Sequence, residues 1–386
     1  MKARIIAYYL PQFHPIPEND RVWGPGFTEW TNVAKARPAF RGHYQPRIPA
    51  DLGFYDLRLP ETREQQAKLA REAGIEGFCY WHYWFGNGRQ LLERPFNEVL
   101  ESGKPDFPFC LCWANHDWST RTWQSGGDTT MIAQQLYPGE KDYTEHFHKV
   151  LPAMKDHRYI TVDGKPLFGI YDPYHFTDVS RFIALWRRLA AENGLKGIHF
   201  VALCNSTTTI TRNADGTFRR VLPNLESSAK VYDDILSLGF DGINSFGKAR
   251  GEMISSGKYR RLLRRYLQEH ITLMPVLRYK FSKVVGHFFA PEDSRENIYP
   301  TVMAGWDRTP RNAKAEGIYT HFTPEAFRKH ILKALDVIKD KGDEHKILFL
   351  RSWNEWGEGN YVEPDLKYGH GFLEAIKATV NDDEKI

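Results

Sequence analysis

Two glutamates near the end of the chain are the residues best suited to do chemistry. Glu355 and Glu358 stand three positions apart in the run SWNEWGEG at 352–359, among tryptophans and glycines. Two carboxyl groups about 5–9 Å apart can cleave a glycosidic bond, because one protonates the leaving oxygen while the other assists at the sugar's opposite face. Indole rings suit such substrates, since sugars have apolar C–H faces that pack on aromatic planes. Taken alone, such a pair is more often a pair of solvated loop acids beside core tryptophans.

The segment before the pair has the sequence of a buried strand. Residues 347–350 read ILFL, an apolar run that is typical of a strand covered on both faces. Gly357 and Gly359 can adopt a positive φ, which would let the backbone turn and direct both carboxylates to one point. We therefore predict that the pair lies just beyond the end of a strand, where α/β enzymes keep their catalytic groups.

Alternation of strand and helix patterns predicts the fold. Eight apolar, β-rich runs are separated by amphipathic helical patterns, which is the signature of a (β/α)₈ TIM barrel. We predict one catalytic domain over 1–386, because no low-complexity linker divides the chain. An open doubly wound sheet is the alternative, although no strand is followed by a glycine-rich phosphate loop. The runs begin near residues 4, 75, 107, 166, 198, 240, 298 and 346, and the helical patterns cover 61–73, 90–100, 143–155, 179–193, 229–238, 324–341 and 371–380.

Two segments depart from this alternation. The stretch 11–59 is rich in proline, glycine and aromatics with little helical pattern, so we expect a long active-site loop after strand one. The stretch 251–291 is a basic insertion whose part 259–267 reads as a short amphipathic helix. Residues 258–283 are compatible with peripheral contact with an anionic membrane or a lipid-linked glycan. A solvated outer face is the alternative.

Composition narrows the class of protein. The 386 residues can bury a large core, and aromatics make up 14% of them, with 11 tryptophans concentrated in a few segments. A net charge of +4 is too mild to indicate a nucleic-acid partner. The four cysteines fall in apolar runs and read as reduced core residues. The N-terminal run is too short and too quickly polar for a signal peptide, so we expect a cytoplasmic protein, membrane-associated if the basic insertion binds lipid.

Aromatic and polar residues cluster where the predicted strands end. The carboxyl ends of barrel strands open on one face, and that face holds the active site. Aromatic rings alternating with amide, imidazole and carboxylate groups are typical of a carbohydrate cleft, although any single tryptophan could equally belong to the core. We therefore predict that an oligo- or polysaccharide is bound by Tyr8, Tyr9, Gln12, His14, Trp81, His82, Tyr83, Trp113, Asn115, Tyr171, Trp306, Asp307, Trp353, Asn354 and Trp356.

Three of the strand ends carry histidines. His14, His82 and His116, with Asp117, could in principle hold a metal ion. None of these three histidines stands in an H-x-H or H-x-x-x-H spacing, so we expect them to bond sugar hydroxyls, with no metal and no cofactor.

Four motifs together resemble a known family. They are YYLPQFHP at 8–15, GFTEWTNV at 26–33, YWHYWF at 80–85 and WNEWGEG at 353–359. The chain resembles the glycoside hydrolase family 99-like proteins, the WbsX-type glycosyltransferases of polysaccharide loci, over nearly its whole length. One departure is the sequence Asn115-His116-Asp117-Trp118, where these proteins usually have Asn-Glu-Asn-Trp.

The resemblance implies a barrel that acts on glycosidic bonds and a division of labour within the pair. In the family 99 enzymes the acid matching Glu355 is the base that deprotonates the sugar's own 2-hydroxyl, which then forms an epoxide-like intermediate. The acid matching Glu358 protonates the leaving group and then activates water. From the residues themselves, a donor near neutrality needs a raised pKa, which we expect for Glu358 beside Trp356.

Three functions remain open at this stage. The first is a retaining, endo-acting α-glycoside hydrolase, mannoside-like by resemblance, that uses Glu355 and Glu358. The second is a glycosyltransferase or transglycosylase in surface polysaccharide biosynthesis, of O-antigen or lipopolysaccharide, although no nucleotide-sugar motif and no Asp-x-Asp metal motif is present. The third is a non-catalytic glycan-binding module, against which the intact acid pair argues.

Overall fold

Eight parallel strands form a closed barrel in the structure, which is a computed structural model. It describes residues 3–120, 129–204, 225–257, 259–260, 263, 266–267, 276–312 and 317–380, and the backbone of 209–212 and 218–221. The barrel strands are β1 Arg4–Tyr9, β2 Gly77–Trp84, β3 Phe109–Trp113, β4 Lys165–Ile170, β5 His199–Cys204, β6 Gly242–Ser245, β7 Ile298–Met303 and β8 Ile347–Arg351.

Strand pairing follows the order of the chain and closes on itself. Each strand pairs in parallel with the next, and β8 returns to β1 through the register Ile5↔Leu348. Most strand residues are buried, because helices cover the outer face and side chains fill the inside. The predicted TIM barrel is thus confirmed, and each of the eight apolar runs overlaps one of its strands.

Helices cover the barrel between successive strands. They are α1 Pro17–Trp23, α2 Glu29–Lys35, α3 Pro60–Glu72, α4 Arg94–Ser102, α5 Glu140–Met154, α6 Val179–Glu192, α7 Ala229–Leu236, α8 Lys248–Ser256, α9 Phe281–Val285, α10 Pro324–Ile338 and α11 Gly371–Val380. Gly103 follows α4 with a φ of 70°, the left-handed conformation that ends a helix with least strain in glycine.

Three of the expected boundaries were wrong. The helix predicted over 90–100 begins only at Arg94, because Gln90–Leu91 pairs with the end of β2 as a short strand. The stretch 11–59 contains α1 and α2 despite its weak pattern. Helix α8, Lys248–Ser256, crosses the start at 251 of the stretch that was expected to be a basic insertion.

Short strands and turns complete the loops. A parallel pair, Arg278–Lys280 with Ile318–Thr320, ties the segment after β6 to the segment after β7. Four of the nine residues of the basic helix expected at 259–267 fall outside the described residues, and the other five are helical. Contact of this segment with a membrane stays a prediction. In the part of the chain that the structure covers, no helix has both the length and the apolar character needed to cross a membrane.

Candidate active site

A tight turn after β8 holds the two glutamates. The residues Trp356–Glu358 form one turn of 3₁₀ helix, and Gly359 ends it at a φ of 61°, a left-handed conformation. The Glu355 N–H donates to Ser352 Oγ at 2.9 Å, and the Ser352 N–H donates to the Asn360 carbonyl at 2.6 Å. One side-chain and one backbone hydrogen bond within the segment thus hold the turn that carries the two carboxylates.

Gly357 is required for a reason other than the one expected. Its φ is not among the positive values, so conformational freedom does not explain it. A Cβ atom at this position would overlap Glu29 Oε1 and would lie 2.8 Å from Arg311 Nε. The absence of a side chain therefore lets a third carboxylate and an arginine come close to the turn.

We expect Gly357→Ala to lower the free energy of unfolding by about 3 kcal/mol, the range of overpacking in a close-packed site. It should also abolish activity, because Glu29 or Arg311 must move. The control is Gly88→Ala, where φ is 72° but no atom lies within 4 Å of the added Cβ. That change should cost only about 1 kcal/mol of conformational strain. Urea unfolding of both variants measures the difference, and equal losses would contradict this explanation of Gly357.

Arg311 is the centre of the site. Its guanidinium, buried with its side chain 6% exposed, contacts three carboxylates at once. Nε donates to Glu29 Oε1 at 2.9 Å, Nη1 donates to Glu358 Oε1 at 2.8 Å, and Nη2 donates to Glu355. Arg308 adds a second cation, with its Nε 3.2 Å from Glu358 Oε1. One guanidinium therefore orients both candidate catalytic acids.

Glu29 is the third carboxylate of this cluster and is fully buried. It is the first residue of α2, and its backbone N–H donates to the Gln12 carbonyl at 3.1 Å, which ties the helix to the segment after β1. Burial raises the pKa of Glu29, against the opposing charge of Arg311. The ionised form of an acid this deeply buried needs a cation beside it, so the charge on Glu29 depends on Arg311.

Charges in the site act oppositely on the two glutamates. Burial, followed by the nearby charges of Glu358 and Glu29, raises the pKa of Glu355 to about 7 in spite of Arg311. Burial alone would also raise the pKa of Glu358, but the cations Arg311, Arg308, Arg351 and Lys248 outweigh it and hold that pKa below its ordinary value. The expected raised pKa at Glu358 was therefore wrong, because four cations surround this carboxylate and their charge exceeds the desolvation. The two carboxyls titrate as a coupled pair, so the proton taken up as the pH falls through about 7 belongs to the pair and not to one glutamate.

Asp307 lies at the side of the pair and is fully buried. Its backbone N–H donates to the Glu358 carbonyl at 2.7 Å, and its Oδ2 accepts hydrogen bonds from Gln45 at 2.8 Å and Arg47 at 3.3 Å. His43 Nε2 lies 2.7 Å from the same oxygen. Burial alone would raise the pKa of Asp307, but His43 and Arg47 hold it well below its ordinary value. A buried, ionised and fully engaged carboxylate of this kind supports the turn and has little capacity left to bind a sugar.

Aromatic rings and Arg351 form the floor beneath the pair. Trp81 stacks on Tyr8 with ring centroids 4.5 Å apart, and Tyr171 meets Trp81 edge-on at 5.7 Å. The Arg351 guanidinium lies 5.5 Å from the centre of the Trp81 ring, and its Nη1 is buried without a hydrogen-bond partner among the described residues. Burial, then the charge of Glu355, raises the pKa of Tyr83, which puts this phenol near the same carboxylate.

Trp306 closes the other side of the site. Lys248 Nζ lies 4.4 Å from the centre of its ring, and Lys248 is among the cations that lower the pKa of Glu358. Of the residues predicted to bind substrate, the structure thus brings together those that lie around the glutamates, namely Tyr8, Trp81, Tyr83, Tyr171, Trp306 and Asp307.

Another group of predicted residues faces the helices instead. The Tyr9 hydroxyl donates to Gln66 at 2.7 Å, and His82 Nε2 lies 2.7 Å from His146 Nε2 on α5. Trp113 donates to the Trp84 carbonyl at 2.8 Å. Successive strand residues point to opposite faces, so only alternate members of each strand-end cluster can face the barrel's interior. Tyr9, His82 and Trp113 point toward the helices for this reason, and their binding of substrate stays a prediction.

The remaining predicted residues hold loops in place. The Asn354 side chain bonds both backbone groups of Leu10, Asn115 bonds both backbone groups of Asp172, and Trp356 donates to Glu363 at 2.6 Å. Gln12, His14 and Trp353 are buried as well, and the nearest polar neighbour of the His14 ring is the Pro11 carbonyl at 3.0 Å. These contacts position the loops that carry the site.

The histidines considered for a metal ion have separate partners. His14 is engaged with Pro11, His82 with His146, and His116 with the Asp117 carbonyl at 2.9 Å. Across the described ranges, three or more side chains of ligand type do not gather into a cluster that could hold a metal.

Known proteins resemble this chain in sequence over nearly its whole length. A family model described as Glycosyltransferase WbsX matches residues 5–376. A protein from Xanthomonas campestris pv. campestris strain B100 that is called "Uncharacterized protein WxcX" is 33% identical over 388 residues, which cover 98% of the chain and 49% of that protein. A second strain of the same pathovar has a WxcX protein with the same identity and coverage. The chain thus spans about half the length of the curated relatives it matches.

Solved structures share the barrel. A glycoside hydrolase-like protein aligns with a TM-score of 0.59 at 15% identity, covering 98% of this chain and 93% of its own. A glycoside hydrolase family 99 endo-α-mannosidase from Bacteroides thetaiotaomicron aligns with a TM-score of 0.53 at 14% identity, covering 98% of this chain and 96% of its own. At such identities the likeness establishes the fold alone.

Proposed function

The chain belongs to the WbsX glycosyltransferase family, and we propose on this premise that it is a retaining, endo-acting enzyme that cleaves α-glycosidic bonds with Glu355 and Glu358. The observation that carries the proposal is the single guanidinium of Arg311 that bonds both carboxylates. Two acids that share one guanidinium are held close together. This favours the separation of about 5–5.5 Å that goes with retention over the wider spacing that inversion needs.

One shared proton fits the chemistry of the pair. Glu355 serves as the base that takes the proton of the sugar's 2-hydroxyl, and Glu358 donates a proton to the leaving oxygen, as the family resemblance implies. The reaction needs the proton of the pair on Glu358, and Arg311 and Arg308 are the nearby cations that oppose this in the free protein. The active form of the enzyme is therefore the one in which the two glutamates together carry one proton.

Other residues of the site suit a sugar ring. Trp81 and Tyr171 offer aromatic faces and edges beside the carboxylates, and Arg351 Nη1 is a buried donor free to meet a sugar oxygen in the part of the site that the structure describes. A mannoside is the first substrate to try because of the resemblance. A related sugar with a similar 2-hydroxyl is the alternative, since the chain has His116 and Asp117 where family 99 enzymes carry an Asn-Glu-Asn-Trp sequence.

A transfer reaction at the same pair is the second candidate function. The family description names a glycosyltransferase, and a retaining pair that cleaves a glycosidic bond can pass the sugar to another hydroxyl in place of water. Such a transglycosylase needs no nucleotide donor and would serve the assembly of surface polysaccharide.

The pH dependence of catalysis follows from the shared proton. We expect kcat/KM to fall about tenfold per pH unit above about 7, because the pair loses its one proton as the pH passes the raised pKa of Glu355. Initial rates across pH 4 to about 10 test this. Activity that keeps rising above pH about 8 would contradict the one-proton pair.

A glycan panel discriminates between the functions. The intact chain should release product from an α-linked oligosaccharide without any nucleotide sugar present. An added acceptor sugar that takes up the released unit would indicate transglycosylation. Reaction only in the presence of a nucleotide sugar would overturn the proposal in favour of an ordinary glycosyltransferase.

A further inference from the structure

A second cavity, which we call the basic pocket, lies beside the candidate active site. It has a volume of about 640 Å³, within the range of small-ligand sites. Its walls come from the segments that follow β1, β7 and β8, together with the strand at Arg278, so it opens on the catalytic face of the barrel. The residues that define it here are Phe40, Arg41, Tyr44, Arg278, Phe322 and Lys367.

The basic pocket contains cations without matching carboxylates. The described residues that line it include Arg41, Arg278 and Lys367 but no aspartate or glutamate. Neither an ion pair nor a hydrogen bond to a side-chain carboxylate is found for these three side chains within the described ranges. A concave surface with one sign of charge attracts ligands of the opposite sign.

Aromatic rings hold two of these cations in place. The Arg278 guanidinium lies 4.8 Å from the centre of the Phe40 ring, and Lys367 Nζ lies 4.6 Å from the centre of the Tyr44 ring. A ring face positions a cation without neutralising it, so the charge remains available to a ligand. The rings also provide apolar surface for the C–H face of a sugar.

The wall between the basic pocket and the glutamates is one side chain thick. Arg47 lines the pocket, lies 4.7 Å from the centre of the Phe322 ring, and donates to the Gly359 carbonyl at 2.8 Å. Gly359 is the residue after Glu358. A ligand in the basic pocket would therefore be held at a fixed position relative to the candidate acid.

We propose that the basic pocket binds an anionic group carried by a sugar, either a phosphate or a carboxylate. This inference rests on the proposed function only in naming the substrate as an acidic glycan. The binding of the anion is a separate property of the intact chain. A neighbouring recess of about 340 Å³, lined by Arg260, Lys280 and Lys283 and sharing Arg278, extends the same charge outward.

Calorimetric titration of the intact chain tests the proposal with three probes: inorganic pyrophosphate, a galacturonate trisaccharide and a neutral trisaccharide. We expect at least one anionic probe to bind, and the neutral one to bind at least about tenfold more weakly. Pyrophosphate alone would indicate a phosphate-bearing glycan, and the galacturonate alone would indicate a uronate. Equal binding of all three, or of none, would overturn the proposal.

The double variant Arg278→Gln/Lys367→Gln should weaken the anionic probe at least about tenfold. Its matched control, Lys68→Gln/Lys329→Gln, removes the same charge from exposed helix surfaces and should bind as the parent does. Unchanged binding in the first variant, with both proteins folded by circular dichroism, would refute the pocket. If the protein binds the anion but cleaves no glycan, the proposed function is contradicted and anion binding by the basic pocket is still supported.

Discussion

Glu355→Gln and Glu358→Gln are each expected to lower kcat/KM about a thousandfold on any glycan that the parent protein cleaves, because each removes one partner of the proton-transfer pair. Glutamine keeps the size of the side chain and can still accept a hydrogen bond from Arg311. The loss should therefore fall on the chemical step, with little change in the free energy of unfolding. Initial rates and urea unfolding on the same preparations separate the two effects.

The control for charge removal is Glu98→Gln. Glu98 is also ion-paired, to Arg63 at 2.8 Å, but it lies on α4 away from the pair. Its variant should keep the parental rate. Activity within about tenfold of the parent in either Glu355→Gln or Glu358→Gln would mean that the pair does not carry the reaction.

Arg311→Met should have the largest effect on stability. It leaves Glu29, Glu355 and Glu358 buried together without their common cation, and breaking a buried ion pair costs roughly 3–5 kcal/mol. The loss should be greater at pH about 8 than at pH about 5. Without the arginine, the folded-state pKa of these carboxyls rises above the unfolded value of about 4.3, so stability is lost as the pH climbs through that window.

Two comparison variants make this prediction specific. Arg63→Met removes another buried arginine, but one that pairs with the single, partly exposed Glu98, so its cost should vary little between the two pH values. Glu29→Gln combined with Arg311→Met removes one of the three stranded charges and should recover part of the loss at pH about 8. A pH-independent cost for Arg311→Met would contradict the three-carboxylate cluster.

The barrel was predictable because its strands are buried on both faces and therefore leave continuous apolar runs in the sequence. Each of the eight apolar runs overlaps one barrel strand. Helix boundaries were less well predicted where tertiary contacts determine which residues are helical. The stretch at Gln90 looks helical, but its backbone pairs with β2 and forms a short strand. Helices α1 and α2 are short and flanked by proline and glycine, so their local pattern was too weak.

The site was predictable only in part. The positions of the two glutamates, Trp81 and Tyr171 at strand ends predicted that these residues lie near one another. Whether a neighbour such as His82 faces the barrel's interior depends on its alternation along the strand. Glu29 and Arg311 were missed, because they are 282 positions apart in the chain and nothing local marks them as partners. The one signal for Glu29 was its place between aromatics in the run GFTEW at 26–30.

Function depends on whether Glu355 and Glu358 act as a retaining pair, and the anomeric configuration of the first product tests this most directly. Proton NMR of the reaction in progress, with an α-linked oligosaccharide and no nucleotide sugar, should show the α-anomer of the new reducing end before it equilibrates with the β-anomer. Neither the Glu355→Gln nor the Glu358→Gln protein should yield that signal. A first product of β configuration, or one formed equally by either variant, would contradict the proposed mechanism.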